Sequence, residues 1–121
     1  MARILIVDDR RPILDGIKPL LERCGYEVLT ATSGRDALSC ETPDLLLTDI
    51  QMPFMDGVKL AIRFRERCPT LPILFQTCGC AADLRRAAEA LGPVLDSGLS
   101  TRELVAAIER ELRAGPNKAR C

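Results

Sequence analysis

The sequence predicts an α/β domain, a doubly wound parallel sheet of five strands with helices on both faces. Three observations carry this. Short apolar runs alternate with amphipathic stretches from start to finish. Three of the runs are nearly continuous Ile, Leu, Val or Phe, which suits strands covered on both faces. The length, 121 residues, is that of one ordinary domain, enough for one core and too short for two. Repeated strand–helix–strand units of this size imply right-handed crossovers.

Taken in order, Arg3–Val7 (RILIV) is the first strand. Ile13, Ile17, Leu20, Leu21 and Cys24 then share one face of a first helix. Pro19 falls inside that pattern with Gly16 nearby, so the helix is expected to be bent or interrupted. Tyr26–Ala31 (YEVLTA) is the second strand, followed by a short second helix. Asp44–Thr48 (DLLLT) is the third strand, and Val58, Ala61 and Phe64, with Leu60 beside them, mark the next helix. Pro72–Gln76 (PILFQ) is the fourth strand, with Leu84, Ala87, Ala88 and Leu91 on the helix after it. A fifth, shorter strand lies at Val94–Asp96. The last helix carries Leu104, Val105, Ile108 and Leu112 and opens with Ser100-x-x-Glu103, a capping box in which each residue satisfies the other's backbone N–H. The folded domain is expected over residues 1–113, and 114–121 (AGPNKARC), which lack periodicity, read as a flexible C-terminal tail.

Composition narrows the function. The hydrophobic share of 47% and the charged share of 28% are those of a globular chain. Seventeen Lys and Arg balance seventeen Asp and Glu, which removes the usual electrostatic footprint of a nucleic-acid binder. No apolar run is long enough to span a bilayer, and MARILIVDD enters acidic chain with no signal-type cleavage region. A cytoplasmic protein is expected, with neither nucleic acid nor membrane as partner. The six cysteines then read as buried small hydrophobes or free thiols rather than bridges. Cys78-Gly79-Cys80 lacks the spacing of a zinc knuckle. With no histidine in the chain, a histidine base, ligand or phosphocarrier is excluded within it.

In open α/β sheets, ligands bind beyond the carboxyl ends of the strands, where strand order reverses. The first strand ends in Asp8-Asp9, the third in Thr48-Asp49, the fourth near Thr77. In the order 2-1-3-4-5, strands one, three and four are neighbours and these ends converge. Three carboxylates brought together repel, and each is harder to ionise; such a cluster usually means a bound cation. Mg²⁺ fits, since it typically uses one or two carboxylates, waters and a substrate phosphate. One carboxylate could then attack a phosphoryl group, as in known aspartyl-phosphate chemistry, with the Thr77 hydroxyl bonding a phosphoryl oxygen. The plainer alternative is that strand-end aspartates are solvated turn or cap residues.

ILIVDD at 4–9, TDIQMPFMDG at 48–57 and ILFQT at 73–77 resemble, in order and separation, the three signatures of two-component response-regulator receiver domains, the chemotaxis receiver among them. The likeness covers roughly residues 3–113, and the aspartate followed by Met-Pro-x-Met-Asp-Gly is highly specific. The resemblance implies the flavodoxin-like receiver fold, whose strand order 2-1-3-4-5 is a known family property. It also implies that Asp49 is the phosphoacceptor and that Asp9 and Asp49 hold Mg²⁺ through their side chains. The Gln51 carbonyl would be a third ligand, and Asp8 would act through water. Thr77 takes the place of the switch hydroxyl, while Met52-Pro53 and Asp56-Gly57 shape the loop into the third helix. Such a domain is a signalling module rather than an enzyme. Its phosphodonor would be a histidine kinase or phosphotransfer protein, and its output, in a stand-alone receiver, an unknown downstream protein reached by contact.

The departures fall at the other end of the sheet. The family's Lys-Pro at the end of the fifth strand is replaced by Ser97-Gly98, counting back from Leu104. The lysines are Lys18, Lys59 and Lys118, none of them there. Val94 stands for the aromatic switch partner, Cys78 for the usual Ala or Gly, and the segment from Gly92 to Ser97 is about two residues short. The second helix looks one turn short. Arg10, directly after Asp8-Asp9, reads first as a solvated loop arginine, with partial substitution for the missing lysine as the alternative. A degenerate receiver, binding a partner without phosphorylation, is therefore the second reading. A phosphatase or dehalogenase with an aspartate nucleophile fits less well, because its Asp-x-Asp pair and any GxxxxGK loop are missing.

Overall fold

In the computed structural model, which describes residues 1–114, five parallel strands alternate with five helices. The elements are β1 (Arg3–Val7), α1 (Arg11–Arg23), β2 (Glu27–Ala31), α2 (Gly34–Leu38), β3 (Leu45–Asp49), α3 (Gly57–Arg67), β4 (Ile73–Thr77), α4 (Ala82–Glu89), β5 (Val94–Asp96) and α5 (Thr101–Ala114). Sheet order is β2-β1-β3-β4-β5, as expected. Ala114, assigned to the tail from sequence, closes α5; the rest of that expected tail lies outside the described residues.

Alternation along the strands divides the core in two. Leu5, Val7, Leu46, Ile73 and Phe75 face one way, onto Ala37, Val58, Leu60, Ala61, Phe64 and Ala88 of α2, α3 and α4. Ile4, Ile6, Leu45, Leu47 and Leu74 face the other way, onto Leu14 and Leu21 of α1 and Leu104, Ala107 and Ile108 of α5. This double covering is why the middle strands read as continuous apolar runs.

Of the expectations for α1, the interruption at Pro19 and the buried face are corrected. The helix is continuous through Pro19. Pro19 is exposed, so its missing N–H frees a carbonyl on the solvent side, where water can satisfy it. The buried face is Leu14 and Leu21 with Ile17 partly covered, not the face ending in Cys24, which lies past the helix and is exposed. The expectation of free thiols holds for Cys24, Cys40, Cys78 and Cys80, but the expectation of no bridges is corrected at Cys68, which is disulfide-bonded. The α5 capping box forms as read: the Ser100 N–H donates to Glu103 Oε1 (3.0 Å) and the Glu103 N–H to Ser100 Oγ (3.1 Å). No helix among the described residues is long and apolar enough to cross a membrane.

Candidate functional site

Strand register delivers the site. Val7 pairs with Thr48 across β1–β3 and Asp49 with Gln76 across β3–β4. Asp8 and Asp9 follow β1, and Thr77 ends β4, so the three strand ends lie side by side. Asp8, Asp9 and Asp49 each present a carboxylate oxygen, all within 4.8 Å of one another. Asp9 is exposed, whereas Asp8 and Asp49 are only 6% and 8% exposed. The convergence read from the sequence is the convergence found.

Burial and proximity tune the central carboxylate. Removal from water and, next, the Asp8 charge push the Asp49 pKa from 3.8 up to about 6. The Ile50 N–H, which donates to Asp49 Oδ1 at 2.8 Å, and the charge of Arg10 pull it down, and Asp9 adds a smaller upward push. A group under this pressure gains from any cation that enters.

The loop after β3 is built around the same residue. The Gly57 N–H donates to the Ile50 carbonyl at 2.7 Å, and Asp56 caps α3 by accepting the Lys59 N–H at 2.9 Å. A Cβ on Gly57 would lie 2.1 Å from the Asp49 carbonyl oxygen. Gly57 therefore does more than shape a loop: its bare Cα lets α3 start directly against the backbone of Asp49.

Two clefts open at the strand ends. The larger, about 380 Å³, is lined by Asp9, Arg10, Asp49, Gln51, Cys78 and Gly79. The smaller, about 40 Å³, is lined by Asp8, Arg10, Ile13, Gln76, Thr77, Cys78 and Ser97. Only the first has room for a phosphoryl group beside a metal ion, and it holds Asp49 and Gln51 as expected. Thr77 faces the second, adjoining cleft, and its Oγ1 accepts the Gly79 N–H at 3.0 Å. Ser97 reaches the same small cleft, its N–H donating to the Thr77 carbonyl at 2.7 Å.

Arg10 and Cys78 line both clefts. The Arg10 N–H donates to Asp8 Oδ1 at 2.9 Å, and its Nε lies 3.5 Å from the same oxygen. The Asp8 charge, then Cys78, raises its guanidinium pKa further. Arg10 is exposed and precedes α1, as a solvated loop residue would be, and it also pairs with Asp8.

Comparison with known proteins agrees with this geometry. The model of the response regulator receiver domain matches residues 4–108. The alkaline phosphatase synthesis transcriptional regulatory protein PhoP of Bacillus subtilis is 38% identical over 78 residues, 62% of this chain and 32% of PhoP. The match thus spans about a third of that relative. Among solved structures, a CheY-like receiver domain protein of Methanospirillum hungatei superposes with a TM-score of 0.87 at 30% identity, covering 93% of this chain and 94% of that one. The response regulator TrrA of Thermotoga maritima, solved in complex with Mg²⁺–BeF, gives 0.81 at 28% identity over 92% and 99% of the two chains. With the strand order, the acidic cluster and a family match spanning most of its length, this chain belongs to the response regulator receiver domain family.

Proposed function

We propose that this receiver accepts a phosphoryl group on Asp49 in a Mg²⁺-dependent reaction, from a histidine kinase or phosphotransfer protein, and signals through protein contact. One observation carries the reading: a buried carboxylate whose pKa is pushed up to about 6 sits within 4.8 Å of two others, at the mouth of a cleft. That arrangement is costly unless a cation and an incoming electrophile make use of it.

The donor set fits Mg²⁺, being all oxygen with few carboxylates. Asp9 and Asp49 would hold it through side chains, Gln51 through its carbonyl oxygen and Asp8 through water. When bound, the metal neutralises charge on the aspartates and on the incoming phosphoryl oxygens. The chain's own residues do the rest. An Asp49 carboxylate oxygen attacks phosphorus; the new O–P bond forms as the donor's bond to phosphorus breaks, and the leaving group keeps the electron pair. The Ile50 N–H, at 2.8 Å from Oδ1, holds the carboxylate in place. Thr77 Oγ1 accepts a bond from Gly79, which leaves its O–H proton available to a phosphoryl oxygen.

The test is incubation with an acyl phosphate and Mg²⁺, followed by intact-mass measurement. The parent gains the mass of one phosphoryl group and Asp49→Ala gains none. Label persisting in Asp49→Ala overturns the acceptor. A parent that takes up none, yet captures a partner, identifies a phosphorylation-independent binding module. Asp9→Asn should weaken the chemical-shift response to Mg²⁺; an unchanged response removes Asp9 from the ligand set.

A further inference from the structure

We propose that Arg10 is the phosphoryl-binding cation of this receiver, supplying from the start of α1 the positive charge that its fifth strand does not provide. The proposal rests on Asp49 being the acceptor. Among the described residues, Arg10 is the one basic side chain lining either cleft.

Charge bookkeeping shows the need. Once phosphorylated, Asp49 carries about two negative charges, and Asp8 and Asp9 add one each. A divalent metal cancels half of that total. A further cation in the cleft lowers the remainder, and no wall residue other than Arg10 is one.

Position and chemistry suit the role. Arg10 is the residue preceding α1, and its backbone is fixed by the 2.9 Å bond from its N–H to Asp8 Oδ1. Its side chain, by contrast, is loosely held. The Nε–Oδ1 distance is a long 3.5 Å and the Arg10 side chain is 49% exposed against 9% for Asp8, so Arg10 itself is free to reorient toward the cleft. The guanidinium can exchange Asp8 for a phosphoryl oxygen, and its planar fork of donors matches phosphoryl geometry. Ser97, on the far wall of the small cleft, has only a short hydroxyl, and its N–H is committed to the Thr77 carbonyl.

The role predicts a split between two affinities. Arg10→Gln should bind Mg²⁺ alone at least as tightly as the parent, because a repelling cation is gone. With Mg²⁺ present, it should bind beryllofluoride roughly five- to thirtyfold more weakly, a charged hydrogen bond having become a neutral one. Arg10→Lys should recover most of that loss, as should Ser97→Lys added to Arg10→Gln. NMR titration reads both affinities, and an unchanged melting temperature shows that the variants fold. Unchanged beryllofluoride affinity in Arg10→Gln overturns the proposal. So does a parallel loss of Mg²⁺ affinity, which marks a residue that merely positions the aspartate loop. If Arg10→Lys restores binding and Ser97→Lys does not, the cation is needed on the Arg10 wall, which supports the proposal; failure of both variants counts against it. A parent that takes up no beryllofluoride overturns the acceptor reading itself, a result distinct from the others.

Discussion

The β3–α3 side of the molecule and the α4–β5 side are built to different densities. Every residue of β3 is buried, and α3 buries Gly57, Val58, Leu60, Ala61 and Phe64. No residue of the three-residue β5 is fully buried, and α4 buries only Ala88. Asp49 stands on the dense side, with Asp8 and Asp9 beside it after β1. Val94 and Ser97 stand on the thin one. Dense packing fixes the geometry of the side chains it holds, whereas a region with little burial opens at low free-energy cost.

Core truncation should expose the contrast most strongly. Leu47→Ala in β3, at 1% exposure, should cost about 2–5 kcal/mol. Leu95→Ala, only partly buried in β5, should cost less than about half as much. Urea denaturation measures both, and equal losses would dissolve the comparison. Next in size, Gly57→Ala forces a Cβ to within 2.1 Å of the Asp49 carbonyl oxygen and should cost about 1–3 kcal/mol, with slower uptake from acyl phosphate. Gly98→Ala, at φ +96° but with no atom within 4 Å, should lose about 1 kcal/mol from backbone conformation alone, with Asp49 undisturbed.

Asp49 and Glu103 should also answer acid with opposite signs. Asp49 holds its proton in the folded state up to about 6, while the unfolded chain releases it near 3.8. Without Mg²⁺, its contribution makes stability fall as pH rises through that window and stay level above it. Asp49→Asn should remove this slope and gain on the order of 1 kcal/mol at neutral pH, roughly 4 °C in melting temperature. Glu103, at the start of α5, has its pKa lowered below 4.5 by the Ser100 backbone bond and then the Ser100 hydroxyl. Its contribution is present above 4.5 and is lost as pH falls through the folded value. Denaturant midpoints of Asp49→Asn and Glu103→Gln from pH 3 to 7 should therefore diverge from the parent in opposite directions. The smallest expected effect is Ser100→Ala, a loss of roughly 0.5–1 kcal/mol from the α5 cap; an unchanged midpoint would show that the box adds nothing.

How much of this was legible depended on which physical force spoke in the sequence. Strand existence came from burial, which writes apolar runs, and β1 and β5 were read to the residue. β3 and β4 each begin and end one residue later than expected. The ladder continues to Asp49 and Thr77, while the Asp44 carboxylate accepts the Arg3 N–H at 2.7 Å, a tertiary choice that no local preference records. In α1, adjacent Ile13 and Leu14 leave two faces open, and only packing against the sheet selects Leu14. The aspartates were legible because their types and strand-end positions coincide. Arg10 was legible only as the lesser alternative and Gly57 only as a loop former, because what they approach, a cleft wall in one case and a carbonyl oxygen in the other, is set by tertiary structure.

The paired charges at the two ends of the strand order have a further consequence, for how the molecule avoids its own kind. The outermost strands, β2 and β5, are where an open sheet can recruit a foreign strand. On β2, Glu27 is engaged by Arg3 at 3.3 Å; on β5, Asp96 is engaged by Arg85 at 3.0 Å. A strand arriving at either margin would meet a charged carboxylate, and at β5 it would find only three residues to zip against. The sheet is thus self-limiting, guarded against edge-to-edge aggregation by the same brevity that leaves its last strand thinly packed.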